Sequence, residues 1–253
     1  MGIYDTFAPY YASGGFTQYS QRMADAFPSL LRHFNQTPEA ILDLACGEGT
    51  FAVSMARAGY HVTGIDQSLA MIKLAQTKSK TENVSVTWRQ LEMQHLDYDN
   101  AFDIVTCWFD SLNYLLELDD LCTTFNGIHK ALRENGLFVF DMNTIYWLVT
   151  LAQRYAVTIE RETEEIFQVH QHSYDFDKNI ATFYITAFVK ENDRWLRRVD
   201  EIHKERGYTI KEIQRCLSDA GLQELACWGN LEDQSPLTKE SRRVYFVAKK
   251  ISH

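Results

Sequence analysis

The chain has 253 residues, 45% hydrophobic and 23% charged, a composition that excludes a disordered or fibrous protein and suffices for one large core with an elaboration. A net charge of −9 with a pI near 5.4 opposes docking on phosphate backbones, and no apolar run approaches the roughly 20 residues of a membrane span, so neither nucleic acid nor membrane is an expected partner. Five cysteines, at 46, 107, 122, 216 and 227, contain no C-x-x-C pair and read as reduced, buried thiols of a cytoplasmic chain.

In residues 18–36, Met23, Phe27, Leu30, Leu31 and Phe34 recur at helical spacing and predict a leading helix. From Ala40 to about Met142, short apolar or β-branched runs at 40–45, 61–66, 84–88, 102–107 and 136–142 alternate with helical stretches at about 49–58, 68–80 and 118–133. Strands separated by helix-length segments predict crossover units, hence an α/β, Rossmann-like, mostly parallel sheet with helices on both faces. Ser68 reads as a helix N-cap, and Gly59 and Asn135-Gly136 as helix stops. Residues 163–206 differ, with alternating stretches at 164–175, 180–190 and 194–206 split by Asp177-Lys178-Asn179 and Glu191-Asn192-Asp193, which predict antiparallel hairpins. The α/β pattern then resumes with a helix capped by Thr209 and stopped by Gly221, a strand at Leu222–Trp228 and a last strand at Val244–Ala248. The expected division is a seven-stranded core of residues 1–145 and 207–253, with residues 146–206 as an inserted antiparallel β lid or dimerisation subdomain.

The first strand runs into the turn Gly47-x-Gly49-x-x-Ala52, at the sheet edge where open α/β proteins bind ligands. That spacing permits a dinucleotide, whose pyrophosphate would sit on the helix N-terminus. Asp43, four residues before Gly47, opposes it: beside a diphosphate the acid is like-charged, whereas beside an ammonium, or bracing the turn, it is well placed. Asp66, at the end of the second strand, can accept ribose hydroxyls, and Glu92 with Met93 after the third can take an adenine amino group and pack its ring.

Asp43-x-x-x-Gly47-x-Gly49, Val62-Thr-Gly-Ile-Asp66-x-Ser68-x-x-Met71, Glu92-Met93, Phe102-Asp103-Ile-Val105 and Leu132-x-x-x-Gly136-Leu-Phe-Val139, in that order, resemble the class I S-adenosylmethionine-dependent methyltransferases. The resemblance covers most of residues 38–143 and about the last 45 residues. It implies S-adenosyl-L-methionine as cofactor, with Asp43, Ala45 and Gly47 bordering the methionine part beside Gly49, Asp66 on the ribose, Gln67 beside it, and Glu92 and Met93 framing the adenine. Glu92 stands where many members carry Asp. Tyr4-x-x-x-Ala8-x-x-Tyr11 resembles a segment that small-molecule members fold over the cofactor, so Tyr11 is expected to close the methionine end.

The implied reaction is in-line methyl transfer to a small-molecule acceptor at N or O, by a monomer or homodimer. It needs a held acceptor more than a protein nucleophile or a metal. The acceptor-side candidates are Asp110 in the aromatic-rich run after strand four, Asn143 at the end of strand five, and His203, which shares a face of the last inserted strand with Glu201 and Glu205 and could serve as a base. That insertion is similar to the lid of sugar-amine N-methyltransferases. His170-x-His172 also shares a strand face, but with no Cys or acid at fixed spacing it is not read as a metal pair. The alternatives are a nicotinamide-dependent oxidoreductase and a non-catalytic S-adenosylmethionine-binding module.

Overall fold

The computed structural model describes residues 3, 4, 6–11 and 15–251. Two helices, α1 (Ala8–Tyr11) and α2 (Thr17–His33), precede the strands β1 (Ala40–Leu44), β2 (His61–Asp66), β3 (Thr87–Gln90), β4 (Phe102–Cys107) and β5 (Leu132–Asn143). The crossovers are α3 (Thr50–Arg57), α4 (Leu69–Thr81) and α5 (Leu118–Ala131). After α6 (Ile145–Arg154) come β6 (Val157–Glu162), β7 (Ile166–Asp175), β8 (Ile180–Glu191) and β9 (Arg194–Arg206), then α7 (Ile210–Asp219), β10 (Leu222–Trp228) and β11 (Arg243–Lys250). The main sheet has seven strands in the order β10-β11-β5-β4-β1-β2-β3, parallel except at β10 and β11, which pair antiparallel.

The central strands are apolar almost throughout because both faces are covered. Ile41, Ile104 and Val139 pack with α2 and α3 on one face, and Leu42, Val105 and Phe138 with α5 and α7 on the other. Strand register sets the site: Asp43 lies between Gly64 on β2 and Thr106 on β4. β6–β9 form a separate four-stranded antiparallel sheet. Along β9, Val199, Glu201, His203 and Glu205 are buried and the residues between them exposed, so the spacing reads the face correctly.

Several expectations need correction. Asn135-Gly136 does not stop α5, which ends at Ala131. The pairing instead jumps from Phe102–Leu132 to Ile104–Leu137, so residues 133–136 bulge within β5. Gly136 is required there, since a Cβ would meet the carbonyls of Arg133 and Asp103 at 2.9 Å. β3 begins at Thr87 rather than 84, because the chain is still closing α4 through Asn83 and Val84. Neither α6 nor β6 was expected. The reading of all five cysteines as reduced thiols is also overturned: Cys122 on α5 and Cys216 on α7 form a disulfide. They are 94 residues apart in sequence, but both helices cover the same sheet face and bring their Cα atoms to 4.8 Å. Among the described residues no helix is long and apolar enough to cross a membrane.

Candidate functional site

At the carboxyl edge of β1 the backbone enters left-handed conformations at Ala45 (φ 54), Gly47 (φ 56) and Gly49 (φ 84) before α3 begins. A Cβ on Gly49 would lie 2.6 Å from Trp88 and 2.9 Å from Ala75, whereas one on Gly47 would meet nothing within 4 Å. Gly49 therefore lets the turn pack on its own domain, and Gly47 leaves its outer side open to a ligand. The turn borders a cleft whose lining includes the sequence candidates Tyr11, Asp43, Ala45, Gly47, Asp66, Gln67 and Met93. Gly49 is not in that lining, nor is Glu92, which is about half exposed at the rim and lies 3.3 Å from His95 Nδ1. Leu91 and Gln94 line that side of the cleft instead.

The two strand-end acids are used differently. Asp66 braces the turn, its Oδ2 accepting from Gly47 N at 2.9 Å and its Oδ1 from Ser68 N at 2.8 Å. Burial lifts its pKa to about 6 against those two bonds. Asp43 accepts from Thr106 Oγ1 at 3.1 Å through Oδ1, while its Oδ2 is buried without a hydrogen-bond partner. Burial pushes its pKa up to about 8, with Asp66 adding repulsion, and the nearby Ala52 amide eases the shift without making a hydrogen bond of normal geometry. A buried acid with a spare oxygen facing a cleft fits a ligand carrying an ammonium group and opposes a diphosphate. Glu48, between the two glycines, also lines the cleft, but its carboxylate is taken by Lys78. Sequence spacing singles out neither residue.

On the facing wall, hydrogen bonds join the N-terminal segment, the 3-10 turn Ser111–Tyr114 and β9. Tyr4 and Tyr114 both line the cleft, their hydroxyls 3.0 Å apart. Tyr114 Oη lies 2.9 Å from His203 Nδ1, and His203 Nε2 lies 2.9 Å from Glu201 Oε2. Glu201 is further clasped by Tyr4 N at 2.9 Å, Thr6 N at 2.7 Å, Thr6 Oγ1 at 2.6 Å and Phe7 N at 2.9 Å. Burial pushes this carboxyl up, but His203 and the N-terminal donors outweigh it and hold it at about 2, so it is ionised at any working pH. Glu201 accepts at His203 Nε2, and in the tautomer that carries its proton there the Nδ1 lone pair accepts from Tyr114. His203 is 1% exposed and does not line the cleft itself, standing one tyrosine behind it.

The other two acceptor-side candidates lie in the cleft's support and not in its lining. Asp110 is ion-paired at 2.7 Å with Arg243, which also pairs with fully buried Asp141 and lies over the rings of Tyr19 and Phe109. Asp141 accepts from the backbone of Phe109 at 2.7 Å and Asp110 at 3.2 Å, holding both in the left-handed conformation (φ 59 and 54). Phe109 is thereby turned onto the cleft wall. Asn143 donates to Glu205 at 2.7 Å from its side chain, and its backbone C=O and N–H are bonded by the side-chain amide of Asn113. Burial and the charge of Asp110 push the Glu205 carboxyl well above its ordinary range.

Residues 41–136 match the methyltransferase domain family model. A protein of Geobacillus sp. (strain WCH70) named as a methyltransferase is 34% identical over 248 residues, covering 96% of this chain and 94% of its own. The chain belongs to the S-adenosylmethionine-dependent methyltransferases. Its cofactor is S-adenosyl-L-methionine. Among solved structures, a S-adenosylmethionine-dependent methyltransferase from Clostridium acetobutylicum ATCC 824 has a TM-score of 0.85 at 24% identity, covering 99% of this chain and all, 100%, of that one. The sugar N-methyltransferase KedS8 from Streptoalloteichus sp ATCC 53650 has a TM-score of 0.72 at 16% identity, over 92% of this chain and 87% of that one. The methyltransferase shares this fold with both, and the nicotinamide reading is set aside.

Proposed function

We propose that this methyltransferase transfers the methyl group to the amine or hydroxyl of a small molecule held between the glycine turn and the Tyr4–Tyr114 wall. The observation that carries this reading is the unbroken series of hydroxyls and imidazole from the cleft to the ionised Glu201. The bound cofactor supplies an electrophilic methyl group. Asp43 would hold its ammonium, Asp66 and Gln67 its ribose, and Leu91 and Met93 its adenine, with Tyr11 closing the methionine end.

A nucleophilic N–H or O–H must lose its proton as the new bond forms. With every donor oriented toward Glu201, Tyr4 donates to Tyr114 and Tyr114 to His203 Nδ1, so an oxygen lone pair of Tyr4 remains to accept the substrate's proton. One shift along the series leaves the proton on His203 as imidazolium beside the Glu201 carboxylate, with both tyrosines neutral. The phenols need never ionise. That matters because burial pushes both of their pKa values far above the usual range. Residues 146–206, which contribute His203 and Glu201, act in this reading as a lid. The likeness to a sugar N-methyltransferase supports an acceptor of this class.

The test is methyl transfer to a panel of small amines and alcohols by the parent, His203→Asn and Tyr114→Phe. Loss of a general base is expected to lower kcat by about 10²–10⁴-fold, leaving S-adenosylhomocysteine binding intact. Parent-like kcat in both variants would remove the relay. Turnover confined to macromolecular acceptors would remove the small-molecule assignment.

A further inference from the structure

His170 and His172 stand on the buried face of β7, their ring centroids 6.1 Å apart, and take no part in the relay. The acid that sequence spacing does not supply comes from the neighbouring strand. β6 pairs Ile159 with Val169 and Arg161 with Gln168, leaving Glu160 as the extra residue of a β-bulge. Bulges re-aim side chains, and one donor atom from each of Glu160, His170 and His172 falls within 4.8 Å of the other two.

The surroundings of these three residues resemble the outer partners that orient metal ligands. His172 Nδ1 lies 2.6 Å from the Tyr155 carbonyl, which fixes the proton on Nδ1 and leaves the Nε2 lone pair free. His170 Nε2 is 2.7 Å from the amide nitrogen Nε2 of Gln168, a fully buried residue whose Oε1 has no partner. With that amide turned over, the oxygen accepts from His170 Nε2–H and the Nδ1 lone pair is released. The His170 ring lies parallel to Phe16 at 6.5 Å, and the His172 ring is edge-on to Phe183 at 5.3 Å. Glu160, whose Oε1 accepts from Thr158 Oγ1 at 2.6 Å, is exposed and keeps its second oxygen.

We propose that Glu160, His170 and His172 bind a divalent cation of the zinc class, clipping the edge strand β6 to β7. Two imidazoles of borderline softness and one carboxylate make a donor set that Zn²⁺ accepts, and the exposed side supplies water for a fourth position. Bonds of about 2.0–2.2 Å to each ligand require the set to draw in slightly, chiefly by rotation of solvent-facing Glu160. The clip lies on the same sheet face as His203 but outside the cleft lining, so it bears on the lid and not on cofactor binding.

The experiment titrates the metal-free full chain with Zn²⁺ by calorimetry and with Co²⁺ by visible absorption, alongside Glu160→Gln and His172→Ala. One cation per chain is expected, with a cobalt spectrum lacking thiolate charge transfer and affinity lowered by about tenfold or more in each variant. S-adenosylhomocysteine binding stays at the parent level in both, and Glu160→Gln alters only an exposed side chain, so it keeps the test independent of folding. Absence of saturable uptake by the parent overturns the proposal, as do parent-like affinity in Glu160→Gln and a thiolate band assigning the metal to the free cysteines.

Discussion

At the scale of single residues, Asp43 shows what a buried acid lining the cleft costs the fold. Its carboxyl is lifted from an ordinary 3.8 to about 8, first by burial and then by the charge of Asp66. A folded-state pKa above the unfolded one means that protonation favours the fold. The stability from this group is complete below the unfolded value and is lost as pH rises through about 8. Asn mimics the protonated acid and cannot ionise. Asp43→Asn should therefore melt higher than the parent at roughly pH 9, with the gap narrowing as pH falls and closing at roughly pH 3, below the unfolded value. The same variant cannot neutralise an ammonium, and loss of a hydrogen bond between charged partners, about 1.5–3 kcal/mol, should weaken S-adenosylhomocysteine binding by about 10–100-fold. Melting curves against pH and calorimetry measure both, and undiminished affinity would show that Asp43 does not meet the ammonium. The cleft wall around the glycine turn was legible, Gly49 and Glu92 apart, because its residues follow strand ends at fixed offsets. Glu201 and Tyr114 were not, because their roles come from contacts between segments 89 and more residues apart in sequence.

At the scale of elements, α1 has only four residues, too few to hold itself by helix propagation. Its approach is fastened to β9 through the four hydrogen bonds that Tyr4, Thr6 and Phe7 give to Glu201. Phe7, Ala8 and Tyr11 then pack against Met71, Ile185 and Val199. Glu201→Ala removes the common acceptor, so the segment ahead of α2 should open more often, and limited proteolysis there should speed up by about tenfold or more. The main sheet and α7, which carries its own capping box of Thr209 and Glu212, should resist as before. An unchanged cleavage rate would mean that apolar packing alone holds the segment. Periodicity read most of these elements well, because the core strands are buried on both faces and the inserted strands on one. It failed at β6, an edge strand with a bulge and a mostly exposed pattern, and at β5, where the bulge of residues 133–136 looks like a helix stop.

At the scale of the whole molecule, the buried acids Asp110, Asp141, Glu201 and Glu205 stand behind the cleft wall, while the face bearing α5 and α7 is tied by a covalent bond. No residue of either helix lines the cleft, so stability and ligand binding are separable there. The Cys122–Cys216 link closes a loop spanning 94 residues, which includes β5 and the entire second sheet. Restricting so long a loop in the unfolded chain should stabilise the fold by about 2–4 kcal/mol. Reduction, or Cys122→Ser, should accordingly lower Tm by about 5–15 °C for a chain of this size, with S-adenosylhomocysteine affinity unmoved. Thiol counting makes the comparison decisive: in denaturant without reductant only Cys46, Cys107 and Cys227 should react. Reaction at Cys122 and Cys216 under those conditions would show that the link does not form, and a Tm insensitive to reductant would show that it forms without restraining the fold.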